Sequence, residues 1–309
     1  MRVTFLIGTP HQVHLFKNLY RELERKGIES IFLARDYSIT TYLLKKFNLK
    51  YKIIGYSHKN IGTKFIEFLT IYKNSLKYIM RFKSNLTFGD FLYGLPSSNL
   101  RIPSISFTNG DAGIDPIIYR AISKCSLICT PEHYRIYLGE KHVRYPGFQQ
   151  LAYLHPSYFV PNSEVLDDVG LSKNDKFCII RLNSYDAIIH DLGIKPLTVD
   201  ELMPLIKNLE KFGYVFILPE SKCPKAFYKY KLKIAPEKLH DLLYFADLLI
   251  ADTAMVTEAC LLGTPSIFIR HPKLIKVSDF KILKKYGFFN LYGIDIEEKF
   301  VKLLSLIHI

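Results

Sequence analysis

The chain has 309 residues, 49% of them hydrophobic and 23% charged, with a formal net charge of +13. That balance excludes intrinsic disorder and provides enough apolar material for one large core or two smaller ones. No run of about 18 apolar residues occurs, so neither a membrane span nor a signal peptide is read, and the expected location is the cytoplasm. The five cysteines, Cys125, Cys129, Cys178, Cys223 and Cys260, contain no CxxC pair and lie in apolar surroundings. They read as reduced core thiols, with neither a disulfide framework nor a zinc site.

In chain order, "VTFLI" predicts a short buried strand that ends at Gly8-Thr9-Pro10. "VHLFKNLYRELERKG" then places Val13, Phe16, Leu19, Tyr20 and Leu23 at helical spacing and stops at Gly27. "ESIFLAR" is the next strand, "TTYLLKKFN" a helix, "YKIIGY" a strand and residues 62–82 a longer helix; "PSISFT" and "CSLICT" follow as strands. Strand and helix in alternation imply a parallel sheet covered on both faces. The stretch from Arg144 carries Pro146, Gly147, Pro156 and Pro161 without periodicity and reads as a connection. The pattern then restarts: "KFCIIRL" strand, "VDELMPLIKNLEKFG" helix, "YVFILP" strand, "PEKLHDLLYFA" helix, "DLLIAD" strand, "MVTEACLLG" helix and "PSIFI" strand. The expectation is therefore an α/β protein of two Rossmann-like, doubly wound domains facing a cleft, residues 1–150 and 176–309, joined by a connector at 151–175. The terminal "LSLIHI" resembles the in-frame translation of a sequencing-library adapter, so the second domain is expected to be truncated after about Leu303.

Almost all of the excess charge sits in the first domain. Between Lys45 and Lys83 there are ten basic residues and one carboxylate, Glu67, interleaved with Phe47, Tyr51, Tyr56, Phe65, Phe68, Tyr72, Tyr78 and Phe82. Such a stretch suits an amphipathic helix with a solvated face, an anionic membrane surface or nucleic acid.

Three groups of residues could carry chemistry. In "LLIADTAMVTEACLLG" a strand ends at Asp252, a short loop of small residues follows and a helix begins near Met255, so the unpaired backbone N–H groups and positive dipole of the helix start make a ready site for a phosphate or pyrophosphate. Glu258, on the first turn, either accepts from two ribose hydroxyls or merely complements the helix dipole. In "RLNSYDAIIHD", Arg181 stands at the end of a strand with a planar fork suited to a diphosphate, and Asp186, His190 and Asp191 follow on a loop. A histidine flanked by carboxylates can act as acid, base or sugar-hydroxyl ligand; the set could also hold a divalent metal, but none is expected. The third group is His11 and His14, where the first strand hands over to the first helix.

"DTAMVTEACLLGTPSI", "TPHQVHLFKNLYRELERKG" with "LARDY", "TPEHY", "YPGFQQLAYLHP", "RLNSYDAIIHD" and "KYG" together resemble the family known as domain of unknown function 354. That family is similar to the glycosyltransferase-B superfamily, which includes nucleotide-sugar glycosyltransferases and UDP-N-acetylglucosamine 2-epimerases. The resemblance implies a nucleotide sugar, a UDP-sugar being one candidate, held mainly by the second domain, with the phosphate site on Thr253, Ala254 and Met255 and the ribose acid on Glu258. Asp252 and Thr253 stand where the superfamily more often has Gly-Gly, which restricts phosphate approach; the Thr253 hydroxyl can donate to a phosphate oxygen instead. It also implies an acceptor-side first domain in which His14 is a general base; a base of this kind needs an orienting partner, for which Asp111 is the candidate and Glu132 the second choice, and His11 is either an acceptor contact or an exposed bystander. The resemblance supplies no reaction; the leading reading of the residues is sugar transfer from the nucleotide sugar to an acceptor hydroxyl without a bound cofactor. The basic stretch at 45–83 points to a lipid-linked or anionic acceptor and to peripheral attachment at the inner membrane face, in preference to nucleic acid. The alternatives are a 2-epimerase-like enzyme using Asp111 and Glu132, and a non-catalytic binder of nucleic acid or anionic polymer.

Overall fold

Strand β1, Arg2–Ile7, is buried at five of its six positions. A strand apolar on both faces has to be covered on both, and its period-two geometry divides its side chains between two layers. Val3, Phe5 and Ile7 pack with Val13, Phe16 and Tyr20 of helix α1 (Pro10–Arg25) and with Leu43 and Leu44 of helix α2 (Ser38–Lys46). Leu6, on the other face, packs with Leu33, Ile54, Ile71 and Ile79, the last two from helix α3 (Ile61–Phe82). At the centre the Phe5 ring stacks on Phe32 at 4.8 Å and on Phe88 at 5.4 Å. Complete burial of a ring of this size contributes about 1.5–3 kcal/mol.

The structure, a computed structural model, describes residues 1–56, 61–89, 91–110, 123–182, 199–219, 223–269 and 278–290, without the side chains at 61–65, 91–94 and 290. The chain divides into two compact units, Met1–Phe159 and Val160–Ile309. In the first, β1 is joined by β2 (Glu29–Asp36), β3 (Tyr51–Tyr56), β4 (Leu86–Gly89), β5 (Ser104–Phe107), β6 (Leu127–Pro131) and β7 (His142–Tyr145). The sheet runs β3-β2-β1-β4-β5-β6-β7 with every pair parallel. The order reverses between β1 and β4, and Gly89 permits the close approach there: a Cβ on it would lie 2.6 Å from the Leu6 carbonyl oxygen. Helix α4 (Phe91–Asn99) follows β4, and the short helix α5 (Leu151–Leu154) lies against α1, Asn18 donating to the Ala152 carbonyl at 2.9 Å. Residues at the start of the expected connector thus belong with the first unit.

The second unit opens with a short helix, α6 (Val165–Asp168), and its sheet has the order β12-β11-β10-β8-β9, again all parallel. The strands are β8 (Phe177–Leu182), β9 (Tyr214–Pro219), β10 (Leu248–Ala251), β11 (Ser266–Phe268) and β12 (Phe288–Asn290). An isolated parallel bridge from Ile217 to Lys231 occupies the place beyond β9 where a Rossmann sheet has its third strand. Cys178, Ile180 and Leu182 alternate onto the face covered by Leu202, Leu205, Ile206 and Leu209 of α7 (Val199–Leu209). Helices α8 (Leu239–Phe245) and α9 (Met255–Leu261) flank β10, and α10 (Ser278–Leu283) precedes β12. The five cysteines are buried single thiols. Burial pushes Cys178 up to about 12 and Cys260 up to about 11, which removes both as nucleophiles at neutral pH.

Candidate functional site

In the second unit the strand order reverses between β8 and β10, where an open α/β sheet parts its loops and binds ligands at the carboxyl ends of its strands. Arg181 lies there, in register with Ala251, the last residue of β10. It is half-buried, and Nη1 donates to the Leu218 carbonyl at 3.3 Å, which braces the guanidinium at the strand ends. Asp252-Thr253-Ala254 connects β10 to α9, and the Thr253 hydroxyl oxygen accepts from the Met255 amide at 3.4 Å. That long contact spans the turn before the helix, whose N-cap is Ala254, and does not use the hydroxyl proton.

Glu258 sits on the first turn of α9, as the sequence predicts, and its surroundings add a residue that sequence reasoning missed. Its Oε1 lies 3.4 Å from Nε2 of His240, with the two side chains only 15% and 8% exposed. His240 belongs to α8, three residues before Leu243, so it occupies a buried position on the apolar side of an amphipathic helix. A polar residue at such a position was the available signal. A carboxylate held between a histidine and a helix start is fixed in direction before any hydroxyl reaches it, which is the preorganisation a diol ligand requires.

In the first unit the turn after β1 is locked by a side chain. Gln12 Oε1 accepts from the Gly8 amide at 2.7 Å and the Thr9 amide at 3.3 Å, the reciprocal half of a Thr-x-x-Gln capping pattern. His11 and His14 leave this turn on the same side of α1 and meet Tyr153 of α5. His11 Nδ1 is 3.2 Å from the Tyr153 hydroxyl, and the His14 ring lies 5.5 Å from both the Tyr153 and the Phe47 rings. His14 is 7% exposed, and its Nδ1 is 3.4 Å from Lys17 Nζ. Tyr153 itself is 1% exposed. The histidine predicted as a base is therefore an oriented, nearly buried imidazole, held by two aromatic rings and a lysine. Glu132 is exposed just after β6, and its amide donates to the Tyr145 carbonyl at 2.8 Å. Asp111, Asp186, His190 and Asp191 lie outside the described residues.

Comparison with known proteins follows the fold. Over 300 residues the chain is 23% identical to the uncharacterized protein MJ0665 of Methanocaldococcus jannaschii, covering 90% of this chain and 84% of that protein. The UDP-GlcNAc 2-epimerase of Neisseria meningitidis, solved bound to UDP-GlcNAc, is similar over 99% of this chain and 92% of its own, with a TM-score of 0.66 at 15% identity. The spinosyn rhamnosyltransferase SpnG, solved with spinosyn aglycone, is similar over 100% of this chain and 92% of its own, at 0.59 and 12% identity. At such identities the likeness is one of architecture: two Rossmann-like units with parallel sheets, the glycosyltransferase-B fold. Residues 3–307 match the family described as Protein of unknown function (DUF354), and the chain belongs to that family.

Proposed function

We propose that this protein is a glycosyltransferase-B type enzyme that moves a sugar from a nucleotide-sugar donor to an acceptor hydroxyl. The observation that carries the reading is the placement, on one Rossmann sheet, of a braced guanidinium, Arg181, at the end of β8 beside the end of β10, and of a carboxylate, Glu258, oriented by His240 on the first turn of the helix that follows β10. Glu258 accepts from the ribose hydroxyls; Arg181 and the amides at Thr253, Ala254 and Met255 take the diphosphate. In the transfer step the bond from the anomeric carbon to the diphosphate oxygen breaks as the acceptor oxygen bonds to that carbon. His14 removes the acceptor proton, with Asp111 as its proposed orienting partner, and His11 contacts the acceptor. Negative charge grows on the departing diphosphate, where Arg181 and the helix start stabilise it without a metal or bound cofactor. The acceptor class we favour is lipid-linked or anionic.

The fold likeness to a 2-epimerase supports a second reading, in which the sugar nucleotide is inverted at C2 and no acceptor is used. Incubation with sugar nucleotide alone separates them. The transferase reading expects no epimer and no release of nucleoside diphosphate above slow hydrolysis until an acceptor is added. Formation of a C2 epimer in the absence of acceptor overturns it.

A further inference from the structure

Helix α3 separates the mixed basic and aromatic stretch into two faces. Glu67, Ile71, Ser75 and Ile79 recur every four residues and are buried. Ile66, Leu69, Thr70, Lys73, Lys77, Met80 and Arg81 recur at three- and four-residue spacing and are exposed, so they form one outward stripe. The carboxylate of the stretch is turned away from it: Glu67 Oε1 accepts from Arg35 Nη1 at 3.0 Å and is 7% exposed. What faces outward is therefore cations beside large apolar side chains, Ile66 at 61%, Leu69 at 47% and Met80 at 57% exposure.

Of the eight aromatic residues that suggested base stacking, four are held by contacts within the unit; Tyr56 and Phe68 are exposed, Phe68 stacking on Tyr72, but neither occupies a position of the stripe. Phe47 lies against His14 and under Lys17, Phe82 under Arg2 and Lys50, while Tyr51 and Tyr78 pack on the two cores. A stacking platform for single-stranded nucleic acid needs exposed rings in series, and this stripe presents cations and aliphatic side chains instead. Face-to-face contact with a second copy would set rows of like charge against each other. A bilayer of anionic phospholipid satisfies both parts of the stripe, headgroups pairing with Lys73, Lys77 and Arg81 while Ile66, Leu69 and Met80 enter the acyl boundary.

We infer that the outward face of α3 is a membrane-docking surface for anionic phospholipid. It gives the membrane side of the proposed function a defined address, and it is read without turnover, so its failure and the failure of the nucleotide-sugar reading are separate results. The test is co-sedimentation of the full chain with vesicles of phosphatidylcholine, with and without phosphatidylglycerol, at low and high salt. Binding is expected only with phosphatidylglycerol and is expected to weaken with salt. The triple variant Lys73→Glu, Lys77→Glu, Arg81→Glu lowers partitioning at least about 100-fold, and Ile66→Ser with Leu69→Ser lowers it about tenfold, both with unchanged melting temperature. A control of equal net charge, Lys173→Glu, Lys225→Glu, Lys284→Glu, retains binding. Equal binding to neutral vesicles, retention by the α3 variants, equal loss in the control, or tight RNA binding in place of vesicle binding overturns the inference.

Discussion

Replacing Glu258 by Gln isolates the charge of the proposed ribose ligand while keeping its shape. The amide oxygen of Gln can still meet His240 Nε2 at the observed 3.4 Å, so the unliganded protein should lose less than about 1 kcal/mol. Binding should suffer more, because a hydroxyl donating to a carboxylate is worth about 1.5–3 kcal/mol and a neutral acceptor returns roughly half of each such bond. With two hydroxyls the loss is about 1.4–3 kcal/mol, or roughly a 10- to 150-fold weaker Kd. At a ligand concentration 100 times the wild-type Kd, stabilisation falls from about 2.7 to about 0.3–1.4 kcal/mol. In a thermal-shift panel of UDP-, GDP-, CMP-, dTDP- and ADP-sugars, that is a change from roughly 5–10 °C to roughly 1–5 °C for the sugar nucleotide that shifts the wild type. The companion variant His240→Leu leaves the carboxylate buried without its histidine, which costs the unliganded protein about 1–3 kcal/mol. If Glu258→Gln retains the full wild-type shift for every active nucleotide, the nucleotide lies elsewhere and the reading of this strand end is refuted.

Three further outcomes are expected. His14→Gln keeps a polar side chain between Phe47 and Tyr153 but cannot take a proton; turnover should fall at least about 100-fold while the thermal shift by sugar nucleotide persists, and loss of both together would assign His14 to packing. Gly89→Ala forces a Cβ against the Leu6 carbonyl at 2.6 Å, a backbone atom that cannot step aside, so urea unfolding should show a loss of about 1–3 kcal/mol. His142 accepts from the Leu138 amide through Nδ1 and donates from Nε2 to the Thr130 hydroxyl at 2.7 Å; burial, and then the charge of Arg144, hold it below its ordinary value. Its unfolded form gains a proton first as pH falls below about 6.5, so stability present above that pH is lost as pH drops toward the folded value, with a slope of at most about 1.4 kcal/mol per pH unit. His142→Asn should flatten that part of the profile in urea melts between neutral and mildly acidic pH; an unchanged slope would rule out His142 as its source.

What was legible in the sequence follows from how each element is buried. Strands β1, β2, β8 and β10 are covered on both faces, so they read as unbroken apolar runs, and the alternation with helices implied parallel sheets correctly. Strands β4 and β7 went unread because each has four residues and alternates or exposes its side chains, "LTFG" and "HVRY". A sheet edge such as β7 needs no apolar outer face, and its backbone pairing with β6 leaves no mark on the sequence. Helix α5 was hidden by the Pro and Gly residues on either side, and with it Tyr153, whose contacts to both histidines cross some 140 residues of chain.

The same distinction runs through the candidate sites. Glu258, Arg181 and His14 could be named as candidates because Arg181 stands near the end of a strand and the other two near the starts of helices that follow strands, positions marked by local sequence. His240 and Tyr153 act on those residues from other elements, so their roles depend on packing that a periodicity argument does not reach. On α3 the limit is different again. Composition counted Glu67 against its neighbouring cations and eight aromatic rings for them, yet net binding character depends on which face each side chain occupies. Once Glu67 is turned inward to Arg35, Phe47 is packed on His14 and Phe82 is covered by Arg2 and Lys50, the outward face of α3 is more positive and less aromatic than the sequence suggests. Cations beside aliphatic side chains are what the inferred anionic-lipid surface requires, whereas stacked bases would need exposed rings in series along the stripe.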